Sequence, residues 1–242
     1  MLSYSPVFQV DEENVASTKN SMRLGATVPN SRRKPQMDQL SSTIGKEIRE
    51  WVLIFSHPAD FTPVCTTEIG NIAGFTEEFK KRNTKIIAHS VDRLKTHHDW
   101  IEDIKSYCSR VPEKFPFPII ADTTRELAVQ FDMIAEEDRH NEDTAQSVRA
   151  LFIIAPDHKV RLSMYYPNSA GRNLQEIIRV LDSLQLTEKL KVVATPANWT
   201  PGTKVMILPS VTDAEAEKLF PGGVDKVSMP SGGNYIRTTE MY

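Results

Sequence analysis

The stretch Ser56-His57-Pro58-Ala59-Asp60-Phe61-Thr62-Pro63-Val64-Cys65-Thr66-Thr67-Glu68 places a thiol where a strand gives way to a helix. Thr62 has the character of an N-cap, and Pro63 suits the first helical position, where no N–H is needed. That register puts Cys65 in the first turn, among backbone N–H groups that have no intrahelical partner. A thiolate there is stabilised by those donors and by the positive end of the helix, and the Thr62 hydroxyl is free to turn toward it. The chemistry implied is that of a nucleophilic or redox-active thiol. The alternative is a small buried hydrophobe, the common fate of a lone cysteine. Polar, helix-starting neighbours leave the two readings level.

A second candidate is Arg149, inside the apolar run Val148-Arg149-Ala150-Leu151-Phe152-Ile153-Ile154. A guanidinium in a buried strand is costly unless an anion meets it. It either reaches water from an edge strand or faces a thiolate and a polar substrate at the end of the sheet. The other cysteine, Cys108, reads as structural. Adjacent His97 and His98 project in different directions on a helix; with Asp92, Asp99 and Glu102 they read as a solvated face, and no metal site is expected. Nothing resembles a glycine-rich phosphate loop or a nicotinamide site, so no cofactor is expected.

The elements that must position these residues follow from periodicity. Trp51-Ser56, Lys85-Val91, Pro118-Ile120, Val148-Ala155 and Val160-Tyr165 read as strands, the first and fourth apolar enough to be covered on both faces. Helical stripes run through Ile69, Ile72, Phe75 and Phe79 and through Trp100, Ile101 and Ile104. A further helix opens at Asn173, with Glu176 three residues on as a capping box. Alternating strands and helices imply an α/β fold. Ala155-Pro156-Asp157-His158 reads as a hairpin turn, so the central sheet is expected to be mixed. After Thr187 prolines and glycines recur, marking a small second unit over 189–242 behind a main domain over 22–188. Residues 1–21 read as a flexible extension.

Composition bounds the function. Hydrophobic residues make up 40% and charged residues 25%, and no apolar run approaches the ~20 residues that span a bilayer. A net charge of −3 argues against nucleic acid as a partner, and the one basic cluster, Ser31-Arg32-Arg33-Lys34, reads as a solvated loop. Two cysteines do not make a disulfide scaffold. With no apolar leader and with Asp11-Glu12-Glu13 ill-suited to a transit peptide, a cytoplasmic location is expected.

Pro63-Val64-Cys65-Thr66-Thr67-Glu68, with Phe55-Ser56-His57-Pro58 and Asp60-Phe61-Thr62 before it, resembles the peroxidatic motif of the peroxiredoxins. Gly171-Arg172-Asn173, Glu176-Ile177-Ile178-Arg179-Val180, Ser183-Leu184-Gln185-Leu186-Thr187, Val193-Ala194-Thr195-Pro196 and Asn198-Trp199 resemble the one-cysteine, peroxiredoxin 6-like subgroup. The likeness covers roughly residues 23–237. It implies a thioredoxin-like fold and reduction of hydroperoxides. By position, Cys65 matches the peroxidatic cysteine, Thr62 the threonine that bonds sulfur and peroxide, Pro63 the shielding proline, and Arg149 the arginine that orients both. Val64 lies among the substrate-contacting residues. His57 matches a histidine near the pocket, or else it simply anchors its loop.

The resemblance further implies a homodimer joined through a sheet edge and an external thiol reductant, of glutathione or thioredoxin type, because neither Cys108 nor the tail offers a convincing resolving cysteine. A peroxide sensor or holdase using the same sulfur is the competing reading. Phospholipase activity in this subgroup goes with a Gly-x-Ser-x-Gly segment; here the region reads Ile48-Arg49-Glu50-Trp51-Val52, Glu50 replacing the serine, so that activity is not expected. Ionisation cannot carry the rate. An ordinary thiol of pKa ~8.5 is already about 7% thiolate near neutral pH, so full ionisation gains at most ~14-fold, or ~1.5 kcal/mol. The remainder must come from donors that stabilise the transition state.

Overall fold

A computed structural model describes residues 7–9, 22–28, 50–135, 138, 141, 145–240 and 242. The basic cluster at 31–34 lies outside these residues. The first unit is built on a six-stranded sheet of β1 (Val7–Gln9), β2 (Trp51–Ser56), β3 (Thr84–Ser90), β4 (Ile119–Ala121), β5 (Arg149–Ile154) and β6 (Val160–Tyr166), in the order β1-β4-β3-β2-β5-β6. The β1–β4, β4–β3 and β3–β2 pairs are parallel, whereas β2–β5 and β5–β6 are antiparallel. The sheet is therefore mixed. The His158 N–H closes the expected hairpin turn onto the Ala155 carbonyl, and His158 takes a left-handed φ of 64°.

The described helices of this unit are α1 (Pro63–Gly74), α2 (Thr76–Lys81), α3 (Leu94–Tyr107) and α4 (Glu126–Gln130). Every residue of β2 and of β5 is buried. Side chains alternate along a strand, so Val52 and Ile54 share one face with Phe152 and Ile154. Leu127 and Phe131 complete that core, and Phe131 packs edge-on against Phe152 at 5.7 Å. Leu53 and Phe55 point to the opposite face and are equally buried. Gly70 in α1 allows the end of α3 to come close: a Cβ there would stand 3.1 Å from the Cys108 Cβ.

Antiparallel pairing decides what meets at the functional end. Phe55 of β2 stands opposite Leu151 of β5, so the last residue of β2 lies beside the first residues of β5. The Ser56 hydroxyl donates to the Val148 carbonyl at 2.6 Å and accepts the Ala150 N–H at 2.8 Å, locking that junction. The loop leaving β2 runs directly into α1. Arg149 and Cys65 thus come from segments 84 residues apart but share one end of the sheet.

Val7–Gln9 falls within the stretch read as a flexible extension, yet it forms an edge strand paired with Ile119–Ala121. Three residues are too few for periodicity to register, and the ladder with β4 supplies the order. The rest of that stretch lies outside the described residues. Glu50, in place of the nucleophilic serine, is ion-paired with Lys85 at 2.5 Å.

The compact units divide between Leu174 and Gln175, earlier than the change of texture near residue 188. The second unit carries α5 (Leu174–Leu190), α6 (Asp213–Leu219) and an antiparallel sheet of β7 (Val193–Ala194), β8 (Val205–Ile207), β9 (Asp225–Val227) and β10 (Ile236–Thr239), in the order β7-β8-β10-β9. Leu186 and Leu190 of α5 pack against its core of Val193, Trp199, Val205, Ile207, Val211, Ala216 and Phe220. Composition marks where turns begin, whereas packing assigns the preceding helix to the tail.

Phe152 has no exposed surface and touches the Phe131 and Tyr165 rings. Phe152→Ala should cost about 3–5 kcal/mol of unfolding free energy in a urea titration, the usual range for a vacated aromatic core site.

Candidate active site

The loop from β2 enters α1 through Thr62, whose extended backbone (φ −112°, ψ 146°) gives it the N-cap position, with Pro63 following. The Thr66 N–H closes the first turn onto the Thr62 carbonyl at 3.0 Å. Cys65 therefore sits in the first turn, as its spacing from Pro63 predicts. The Thr62 side chain does not cap the helix; its hydroxyl donates to the Ala59 carbonyl at 2.9 Å. A proton committed there is not given to the sulfur, and the hydroxyl oxygen retains lone pairs that accept. Phe61, one residue earlier, is half-exposed and takes a left-handed φ of 54°.

Cys65 has no exposed surface, as a structural cysteine would. Its sulfur, however, accepts from Arg149 Nη1 at 3.3 Å, and the same nitrogen donates to Glu68 Oε2 at 2.8 Å. The Asn168 carbonyl receives Arg149 Nε at 3.0 Å and Nη2 at 2.8 Å, fixing the plane of the guanidinium. Arg149 is buried and faces an anion site, so it is not the water-reaching edge arginine that the strand pattern also allowed.

Glu68 stands one helical turn after Cys65, on the same side of α1. It is shared by two buried arginines. Arg172 donates its N–H to Oε1 at 2.6 Å, Nε to Oε1 at 2.9 Å and Nη2 to Oε2 at 2.9 Å. Arg172 also ties down the Ala150 carbonyl at 2.7 Å and the Ser56 carbonyl at 2.8 Å, and its guanidinium lies 3.3 Å from the centroid of the Phe55 ring. Burial acts to raise the Glu68 carboxyl; Arg172, aided by Arg149, outweighs it and holds the group below the ordinary carboxylate range. The cluster contains two cations and one anion. The Cys65 sulfur stands against that surplus positive charge, 3.3 Å from Arg149 Nη1.

His57 is fully buried, but its described contacts are not with the sulfur. Its Nε2 meets Asp60 Oδ1 at 2.9 Å, and its ring lies against that of Trp100, centroids 4.9 Å apart and planes tilted by 37°. The other Asp60 oxygen meets His97 Nδ1 at 2.6 Å. His97 is thus buried on the inner face of α3 rather than solvated, while His98, Asp99 and Glu102 are exposed. Asp92 is half-buried and accepts the Asp60 N–H and the Ser90 hydroxyl. Adjacent histidines diverge on a helix, and His97, three and four residues before Trp100 and Ile101, falls on the stripe that α3 buries. Pro63 is exposed and Val64 half-buried, flanking the sulfur along the chain.

Sequence reasoning missed Glu68, Arg172, Asp60 and His97 as partners. Glu68 carried a signal in its i, i+3 relation to Cys65. Arg172 stood out only within the family-like segment Gly171-Arg172-Asn173; nothing local named its partners, which come from α1, β2 and β5.

Two stability measurements follow. Glu68→Ala leaves two buried guanidiniums without their shared carboxylate and should cost about 3–5 kcal/mol in urea unfolding. Burial would raise the Asp60 carboxyl, but the bonds from His57 and His97 hold it at about 2, against an ordinary 3.8. That depression stabilises the fold by about 2 kcal/mol above pH ~4, and the contribution is lost as pH falls toward 2. Burial holds the His57 imidazole below its ordinary 6.5, so its contribution is complete above that pH and declines in acid. Urea midpoints measured from pH 7 to pH 2 should fall in both windows, and Asp60→Asn should remove the lower one.

Residues 25–163 match the family model described as AhpC/TSA family, and residues 183–223 match the C-terminal domain of 1-Cys peroxiredoxin. Peroxiredoxin-6 of Gallus gallus is 50% identical over 190 residues, covering 78% of this chain and 84% of the relative. The 1-Cys peroxiredoxin A of Oryza sativa subsp. japonica is 42% identical over 226 residues, covering 91% and 98%. Among solved structures, a Cys-to-Ser variant of Arenicola marina peroxiredoxin 6 aligns with TM-score 0.80 and 43% identity, over 92% of this chain and 99% of that one. A yeast mitochondrial 1-Cys peroxiredoxin, whose thiol is resolved via glutathione/thioredoxin systems, aligns with TM-score 0.69 and 42% identity, over 78% and 86%. These relatives favour turnover over a single sensing event at the same sulfur. The chain belongs to the AhpC/TSA family as a peroxiredoxin of thioredoxin-like fold, a thiol-dependent peroxidase similar to the one-cysteine, peroxiredoxin 6 type.

Proposed function

We propose that Cys65 is the peroxidatic cysteine of this enzyme and reduces hydrogen peroxide and organic hydroperoxides, with Arg149, Thr62, Pro63 and Val64 forming its substrate site. The observation that carries this reading is the Arg149 Nη1 to Cys65 Sγ contact at 3.3 Å. The Cys65 thiolate attacks the terminal oxygen of ROOH, an S–O bond forms as the O–O bond breaks, and RO⁻ leaves to be protonated to ROH. Cys65 is left as a sulfenic acid. Arg149 is fixed by the Asn168 carbonyl before reaction, so it opposes the growing charge without reorganising. Exclusion of water around the buried sulfur strengthens that interaction.

The Thr62 hydroxyl, its own proton given to Ala59, serves as an acceptor for the peroxide O–H. Pro63 and Val64 border the sulfur along the first turn. His57 acts on the loop rather than on the sulfur, since its bond goes to Asp60.

Return to the thiol takes an external reductant. One thiol condenses with the sulfenic acid, releasing water and leaving a mixed disulfide; a second thiol releases Cys65. The glutathione and thioredoxin systems are the candidates, on the precedent of the yeast relative. Both cysteines are free, and Cys108 donates to the Gly70 carbonyl at 3.5 Å, so it packs on the far part of α1. We place the reaction in the cytoplasm, a reducing compartment. Association into a homodimer through β6 is supported by its place as the last strand of the sheet, with Tyr165 half-exposed on it. No helix among the described residues is long and apolar enough to cross a membrane.

Cys65→Ser should abolish peroxide consumption, and wild-type turnover in that variant would overturn the assignment. Arg149→Ala, checked for folding by circular dichroism, should lower kcat/KM for peroxide by at least about 100-fold, the scale of a lost transition-state donor. Non-reducing peptide mapping after turnover should show no Cys65–Cys108 disulfide.

A further inference from the structure

His57, Asp60 and His97 form a buried titratable cluster that no step of the peroxidase reaction uses. We propose that Asp60, clamped between His57 and His97, is a positioning residue that fixes where the first turn of α1 presents the Cys65 sulfur. The proposal rests on Cys65 being the reacting group.

The clamp reaches the sulfur through a short series of contacts. Asp60 is tied on three sides: to His57 at the end of β2, to His97 on α3, and through its N–H to Asp92 at 3.0 Å. Beside it, the Ala59 carbonyl holds the Thr62 hydroxyl. The Thr62 carbonyl in turn accepts both the N–H and the hydroxyl of Thr66, at 3.0 and 2.8 Å. Trp100 donates to that Thr66 hydroxyl at 3.0 Å while its ring lies against that of His57. The loop and the helix start are therefore fastened to the same face of α3. Between the two fastenings lies Phe61, whose left-handed backbone is strained for an aromatic residue and persists only where its neighbours enforce it. Displacement of a reacting atom by about 1 Å costs on the order of 100-fold in rate, so the setting of this loop is a kinetic variable.

The roles of the nitrogens follow from the carboxylate. An ionised Asp60 only accepts, so His57 Nε2 and His97 Nδ1 both donate. The other nitrogens, His57 Nδ1 and His97 Nε2, are buried without a partner among the described residues. The three facing atoms lie within 4.8 Å of one another, and two imidazole donors on one carboxylate satisfy that spacing without an ion. The arrangement is a hydrogen-bond clamp.

Isosteric variants test it. An asparagine amide places a donor where His97 Nδ1 stands, whereas alanine does not. In stopped-flow oxidation of the thiol by hydrogen peroxide, His97→Ala should react at least about tenfold more slowly, and His97→Asn should recover most of that loss with an unchanged pH profile. Asp60→Asn, which sets an amide N–H against one imidazole N–H, should fall between His97→Ala and wild type. Wild-type speed in His97→Ala, or equal slowness in His97→Asn and His97→Ala, would overturn the clamp; the latter would mean that the imidazole itself is required. Long-range ¹H–¹⁵N spectra at pH 7 give a readout independent of activity, with protons expected on His97 Nδ1 and His57 Nε2. A His97 proton on Nε2 overturns the proposal even if His97→Ala fails to fold. Peroxide consumption by Cys65→Ser would refute the reading of the site, leaving those spectra to judge the clamp alone.

Discussion

The functional end of this protein depends on one buried carboxylate shared by two guanidiniums. Glu68 binds both Arg149 and Arg172, all three sealed from water. Removing such charges from solvent costs several kcal/mol per ion, and only close pairing with further hydrogen bonds offsets that cost. The Asn168, Ala150 and Ser56 carbonyls supply those bonds. The three groups still sum to one positive charge. A fold that tolerates this surplus has a place for one more anion, and the Cys65 sulfur occupies it at 3.3 Å. Structural and chemical requirements coincide on the proposed reading: a thiolate at Cys65 would both attack peroxide and supply the charge that the cluster lacks.

This arrangement separates two tasks that a helix N-terminus alone would have to combine. The end of α1 stabilises an anion by ~0.3–2 kcal/mol, enough to favour ionisation but not a transition state. Arg149 acts differently, because its plane is set by Asn168 before any substrate arrives. On the proposed reading, charge moves from sulfur toward the leaving oxygen as the O–O bond breaks, and a cation already fixed beside the sulfur stabilises it without rearrangement. Arg172 makes no described hydrogen bond to the sulfur; it holds both oxygens of Glu68, the carboxylate that also accepts from Arg149.

Local patterns revealed much of this architecture, for identifiable reasons. The five strands inferred from apolar runs all occur, and the two covered on both faces, β2 and β5, leave an uninterrupted hydrophobic signature. Thr62-Pro63 fixed the start of α1 and so the turn that holds Cys65. Arg149 stood out because a cation in such a strand demands a partner. Other features rest on contacts between distant segments. Arg172 belongs to a segment that resembles the family, but its role comes from α1, β2 and β5 converging on it. His97 falls on the stripe of Trp100, Ile101 and Ile104 that α3 buries, but the partner that gives it meaning, Asp60, lies 37 residues away. Val7–Gln9 is three residues long and owes its conformation to β4.

The mixed sheet is itself a condition of the chemistry. β5 begins with Arg149 and runs antiparallel to β2, so its first residue lies beside the strand end from which the loop to Cys65 departs. Were β5 parallel to its neighbour, the same arginine would sit at the opposite edge, a six-residue strand or ~20 Å away. No side chain spans that gap. The parallel strands β2, β3 and β4 deliver Ser56, Ser90 and Ala121 to one edge, where the loops after β2 and β3 carry Asp60 and Asp92. The antiparallel hairpin adds a cation to that edge from the other direction. Reversal of a single strand thus joins a thiol-bearing helix start to its arginine.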